Sequence, residues 1–343
     1  MMKLNMRKWM LDMSTATERK AMPIMTYPGL ELSGMTVLDI VKHGEAQFKC
    51  IQALADRFPS VAAVTTMDLS VEAEAFGSEI RFSDNEVPSV INRIVSDEDS
   101  INALRIPKVG DGRTGEYIKA AQLAAENIKD RPTFAGQIGP FSLAGRLYDM
   151  TEIMVSILLE PEIIHVLLEK VTDFLIEYAR AYKQSGANGI IMAEPAAGLL
   201  SPEQCEEFSS RYVRKIVEAV QDDYFMVILH NCGNTKNLVS SIVGTGAMAF
   251  HFGNAVDMRD IMPQIPWGRF AFGNVNPAVT FKAGTVEDVR NETEKLLSNT
   301  FQYKNFGISS GCDIPPETPI ENIEAFFAVN DEFNKRILKE LQA

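Results

Sequence analysis

The sequence predicts an α/β protein built as a (β/α)8 barrel, and three observations carry that reading. Apolar, strand-like runs alternate with amphipathic helical stretches. Helix-start signals fall just after several of these runs. No Gly-x-Gly-x-x-Gly fingerprint follows the first run, as an open dinucleotide-binding sheet would require.

Residues up to about position 40 read as a helical extension ahead of the barrel. The first strand-like run is 61–66, followed by a short candidate at 79–82 and a run at 133–138. Residues 162–182 place Ile163, Val166, Leu167, Val171, Phe174 and Tyr178 on one face, the spacing of a long helix with a buried stripe. Five further runs follow, at 189–193, 225–230, 247–252, 269–275 and 306–310, which brings the expected strands to eight. Ser201-Pro202-Glu203-Gln204 and Thr318-Pro319-Ile320-Glu321 each supply a hydroxyl cap, a proline at the first helical position and a Gln or Glu at the third. Thr285-Val286-Glu287-Asp288 is a weaker signal of the same kind. No linker, low-complexity segment or charge block interrupts the chain, so residues 1–343 read as a single barrel domain.

With 46% hydrophobic and 23% charged residues, a chain of 343 residues can bury a large core without disulfide or metal staples. Its 33 basic and 46 acidic residues give a net charge of −13, which opposes nucleic acid and anionic membrane surfaces as partners. No apolar run reaches 18 residues, and Asp12 and Glu18 interrupt the stretch where a signal peptide would need an unbroken apolar core. A cytoplasmic protein is expected. Four scattered cysteines are too few for a disulfide framework, so they are free thiols or metal ligands.

Barrel enzymes carry their chemistry where strands end and the following loops begin. Here the run 189–193 ends at Glu194, the run 225–230 ends in His230-Asn231-Cys232-Gly233, and the run 306–310 is followed by Gly311-Cys312-Asp313. His-x-Cys in extended chain points both side chains the same way. With Cys312 from another strand end, one imidazole and two thiols match zinc's preferences and leave a fourth position open, as catalytic sites do. The competing reading is that such cysteines are small buried hydrophobes. Glu194 could be a fourth metal ligand, a proton acceptor or a rim charge. Asp68, Gln137 and Asn276, at other strand ends, are candidate substrate-binding polars. Cys50, Cys205, His43 and His165 fall on helical stretches, and His251, with no thiol near it in sequence, reads as a core or pocket residue.

These residues lie within a wider likeness. Met67-Asp68-Leu69-Ser70-Val71-Glu72-Ala73-Glu74-Ala75-Phe76-Gly77 resembles the first strand-loop-helix of the uroporphyrinogen decarboxylase superfamily, Gly136-Gln137-Ile138-Gly139-Pro140-Phe141 its Gly-Pro-Phe loop, and Gly273-Asn274-Val275-Asn276-Pro277 its Gly-Asn-x-Asp-Pro turn with Asn276 in place of Asp. The resemblance runs from about Asp39 onward and implies a uroporphyrinogen decarboxylase-like barrel. The decarboxylases' arginine-containing Met-Arg-Gln-Ala-Gly-Arg segment has no counterpart around residues 23–34, and where they have Gly-His-Gly-Ile this chain reads Gly311-Cys312-Asp313-Ile314. That pattern is similar to the corrinoid-dependent branch, the methylcobamide:coenzyme M methyltransferases, in which His, Cys and Cys hold zinc.

The resemblance therefore implies Zn2+ on His230, Cys232 and Cys312, a methylcobamide presented by a separate corrinoid protein, and a small thiol such as coenzyme M as methyl acceptor. The opposite half-reaction, from a methyl donor to the corrinoid protein, uses the same parts. Porphyrinogen decarboxylation and a non-catalytic corrinoid-binding role with a structural zinc are the remaining alternatives. Residues 22–34 and 85–115 are expected to cover the mouth and select the substrate.

Overall fold

The computed structural model describes residues 4–342, so the first three residues of the expected extension and the final residue lie outside it. Seven parallel strands form one curled sheet: β1 (Ala63–Val64), β4 (Thr133–Ile138), β5 (Gly189–Ala193), β6 (Met226–Asn231), β7 (Ala249–Phe252), β8 (Phe270–Val275) and β9 (Phe306–Ser310). They pair in that order. Helices cross between them, including Pro161–Gln184, Val286–Thr300 and Ile320–Gln342.

The expected eighth strand is not in this sheet. Residues 79–82 instead contribute β2 (Ile80–Arg81), which pairs antiparallel with β3 (Ser89–Val90) as a separate ribbon. Ile80 and Arg81 are half-buried and exposed, so this segment lacks the two buried faces that a central parallel strand must have. Beside β9, an extended piece near Ala21 makes a single parallel bridge to Ile308. Met22 N–H donates to Ile308 O at 2.9 Å, Ile308 N–H donates to Lys20 O at 3.0 Å, and Val61 N–H donates to Ala21 O at 3.0 Å. A segment expected to belong to the helical extension thus spans the gap between the last strand and the chain entering the first.

Every residue of β4 to β9 is buried, because helices cover the outer face and side chains fill the inner one. The period-two alternation separates two apolar clusters. Ile190, Met192, Val227, Leu229 and Phe250 face the helix layer. Ile191, Met226, Ile228, Ala249 and Phe272 face inward, where Met6, Met10 and Met13 from the helix Met6–Thr15 join them. Trp9 of that helix meets Phe134 with ring centroids 5.6 Å apart, which closes the end where the strands begin.

Helix starts follow the capping logic. Ser201 and Thr285 both form complete capping boxes, with Gln204 and Asp288 as reciprocal partners. Thr318 is used differently: its hydroxyl donates to Pro315 O at 2.8 Å ahead of the helix that begins at Ile320. Among the described residues no helix is long and apolar enough to cross a membrane.

Candidate functional site

Strand parity decides where the predicted ligands point. Met226 and Ile228 face inward, so His230, two residues on, does too, and Cys232 continues the same phase just past the strand end. β7 places His251 opposite His230 in register, on the inward face defined by Ala249. Gly253 supplies the space beside Cys232, because a Cβ there would stand 2.9 Å from the Cys232 Cβ.

A chain of hydrogen bonds fixes the imidazole tautomers. Met22 O can only accept, so the Ser309 hydroxyl donates to it at 2.7 Å. Ser309 Oγ must then accept from His251 Nε2 at 2.8 Å. That leaves His251 Nδ1 as the acceptor for His230 Nδ1–H, 2.8 Å away. His230 Nε2 therefore carries a free lone pair, and it faces Cys312 Sγ at 3.6 Å. Burial, then the neighbouring His230, holds His251 well below the usual imidazole range, so it stays neutral as this chain requires.

Cys232 and Cys312 share a hydrogen bond that pulls the Cys232 thiol down to about 7 and, with burial, pushes Cys312 up to about 12. His230 and Cys312 are thus brought into contact from two strand ends, with Cys232 beside Cys312. Among the described residues, no three His, Cys, Asp or Glu side chains already surround a common metal position. The donor chemistry nevertheless fits zinc: an imidazole with its lone pair fixed, two sulfurs in contact, and the second imidazole orienting the first in the manner of metal sites.

The other candidates serve different ends. Glu194 follows inward-facing Ala193 and so points outward, fully buried. It accepts from Phe141 N–H at 3.0 Å, from Ser142 N–H at 2.6 Å and from the Ser142 hydroxyl. Burial raises it to about 7 against these bonds. Its contact with His230 is through the backbone, Glu194 N–H to His230 O at 2.8 Å. Asp68 is locked to Arg113 Nη1 at 2.5 Å and receives Tyr117 OH at 3.0 Å. Gln137 turns to the helix layer and donates to Leu175 O at 3.1 Å. Asn276 caps the turn Pro277–Lys282, accepting from Ala278 and Val279 N–H. None of these four joins the His230 cluster through its side chain. Cys50 and Cys205 are buried on helices.

The model of the family described as uroporphyrinogen decarboxylase (URO-D) matches residues 15–333. The chain belongs to this family. A methylcobamide:CoM methyltransferase of Methanosarcina acetivorans is 30% identical over 261 residues, 75% of this chain and 75% of that protein. A uroporphyrinogen decarboxylase of Aliivibrio salmonicida is 26% identical over 301 residues, 81% of this chain and 82% of that one. Among solved structures, a methyltransferase from Methanosarcina mazei superposes with a TM-score of 0.86 at 22% identity, covering 97% of this chain and 99% of that one. That superposition establishes a shared fold. Within the URO-D family, this chain resembles the methylcobamide:CoM branch, and His251, read from sequence as a core or pocket residue with no thiol near it, stands beside His230.

Proposed function

We propose that this URO-D family protein is a zinc-dependent methyltransferase that moves a methyl group from a methylated corrinoid, held by a partner protein, to a small thiol such as coenzyme M. The observation that carries this reading is the pairing of His230 Nε2, freed by the His251 relay, with Cys312 Sγ at 3.6 Å and the neighbouring Cys232. A decarboxylase would have no use for two sulfurs and an oriented imidazole at one strand-end mouth. The relatives named as methylcobamide:CoM methyltransferases support the same choice. We read the curled sheet as a barrel whose eighth position is taken by the extended piece at Ala21.

His230, Cys232 and Cys312 would hold the zinc. Bound there, it would keep an acceptor thiol ionised at neutral pH. The chain's own residues do the rest. His251 and Ser309 keep the His230 lone pair aimed at the site, and the two cysteines supply the negative charge that preserves the acceptor's nucleophilicity. The acceptor sulfur forms the new bond to carbon, the cobalt–carbon pair stays with cobalt, and the thiol proton leaves to solvent.

The test is to incubate purified, zinc-quantified protein with methylcobalamin and candidate thiols while following the cobalamin spectrum. Thiol-dependent demethylation with one zinc per chain is expected. Its absence overturns the proposal, and methylation of cob(I)alamin by a methyl donor would assign the opposite half-reaction instead. Zinc-free protein that forms coproporphyrinogen would assign decarboxylation.

A further inference from the structure

A cavity of about 410 Å3 lies beside the end of β5, lined by Asn92, Arg93, Arg146, Pro195, Ala196 and Leu199 among others. Its size suits a small ligand. Arg146 sits in the helix Pro140–Tyr148, part-buried, and Arg93 comes just after β3, within the 85–115 segment. Among the described residues, neither guanidinium makes a hydrogen bond or ion pair with a protein group. For Arg146 that is unusual in a chain with 46 acidic residues, because a part-buried guanidinium has five donors to satisfy; Arg93 is exposed.

The acidic groups around it are bonded elsewhere, Asp149 and Glu72 each through one carboxylate oxygen only. Asp149, also on the cavity wall, caps the next helix by accepting from Thr151 and Glu152 N–H. Asp68 is bound to Arg113, and Glu72 accepts from Ile138 N–H. Both act on Arg146 only across space. The Ser142 hydroxyl is used up between Glu194 and Ala196 N–H. On the cavity wall Arg146, Arg93 and Asn92 make no side-chain hydrogen bond to the protein, and the Asp149 carboxylate beside them keeps its Oδ2 unbonded.

The turn Pro195–Leu199 borders both the cavity and the backbone of Cys232. Pro195, Ala196 and Leu199 line the cavity, and Gly198 of the same turn lies against Cys232, where an added Cβ would come within 2.7 Å of the Cys232 carbonyl oxygen. We propose that this cavity is an oxyanion subsite, in which Arg146 and Arg93 grip the sulfonate or carboxylate at the far end of the substrate whose sulfur reacts at Cys232 and Cys312. This rests on the methyl-transfer reading for the identity of the substrate, but not for the existence of the subsite. Planar guanidinium forks bind such groups in paired hydrogen bonds, which would orient a short thiol as well as retain it.

The test separates the two. Full-length protein is titrated with ethanesulfonate, propionate and neutral 1-propanol, none of which carries a thiol, at constant ionic strength, with ligand NMR and thermal melts as readouts. Both anions are expected to bind and to raise the melting temperature, and 1-propanol is not. The preferred anion identifies the headgroup. Arg146→Met should weaken anion binding at least about tenfold and abolish the thermal shift, with Arg146→Lys intermediate and Arg93→Met smaller. Because Arg146 has no protein partner to lose, the Met variant should melt no lower than the parent without ligand, so loss of binding cannot be ascribed to unfolding. Equal binding by parent and Arg146→Met, or equal binding of 1-propanol, overturns the subsite. Anion binding without thiol-dependent demethylation overturns the methyl-transfer reading alone. Demethylation with equal KM for 2-mercaptoethanesulfonate and 2-mercaptoethanol overturns the subsite alone.

Discussion

His230 and His251 face each other across neighbouring strands with their Nδ1 atoms 2.8 Å apart and their rings nearly edge to face, at 68°. Only one of the two can donate in that bond, and the Ser309 hydroxyl decides which. Replacing His251 by Phe keeps a flat, somewhat larger ring in its place but leaves His230 Nδ1–H without its acceptor. Zinc affinity, measured by competition with a chromophoric chelator, should fall about 10- to 100-fold while the far-ultraviolet dichroism stays unchanged. Ser309→Ala should do the same more weakly, since it removes the fixing of the tautomer but not the imidazole pair.

Cys312→Ala should lose metal and methyl transfer yet remain folded. The apolar clusters inside and outside the sheet do not depend on the cysteine, so the melting temperature is expected within about 5 °C of the parent. Circular-dichroism melts with elemental analysis check this, and a variant that unfolds would mean a structural metal.

Arg113 is the hub of the buried charges near the first loop, bonded to Asp68, to Glu74 at 2.6 Å and to Val41 O at 3.0 Å. Arg113→Met strands Asp68, whose side chain is 0% exposed. Denaturant unfolding should register a loss of about 3–5 kcal/mol.

Glu72 is buried, and its Oε2 has no hydrogen-bond partner in the protein. Burial lifts it from 4.5 to about 7. A carboxyl raised on folding stabilises the fold below its unfolded value near 4.5, and that contribution is lost as pH rises through about 7. Stability of the parent should therefore fall between pH 5 and 8, and Glu72→Gln should flatten that slope. Melting curves at half-unit pH intervals decide it.

Much of the site was legible because its residues sit at strand ends that local pattern reveals. β4, β5 and β9 occupy the expected bounds, and parity carried His230 and Cys232 to one face. His251 was legible only in part. It closes its own apolar run, but its partnership with His230 depends on the register between β6 and β7, which no local signal encodes. The same holds for Arg113, which reaches Asp68 over 45 residues. Glu194, Gln137 and Asn276 are polar residues near strand ends, but position near a rim does not say which way a side chain turns. One residue of phase sends Glu194 to the helix layer. Residues 79–82 look like a strand and form one, but their half-exposed pattern fits a two-stranded ribbon rather than a sheet buried on both faces.

The bonding around Ala21 also bears on the order in which the site is assembled. His230 and Cys232 come together as soon as one strand forms, but Cys312 is held by residues from the chain's beginning. Ile24 N–H donates to Ser310 Oγ, Ile314 N–H to Ile24 O, and Thr26 N–H and hydroxyl to Asp313. These contacts join residues 286 to 290 positions apart. Cys312, the second sulfur, is placed only where these residues clasp the loop after β9, so a site able to hold a metal would need both distant segments in position.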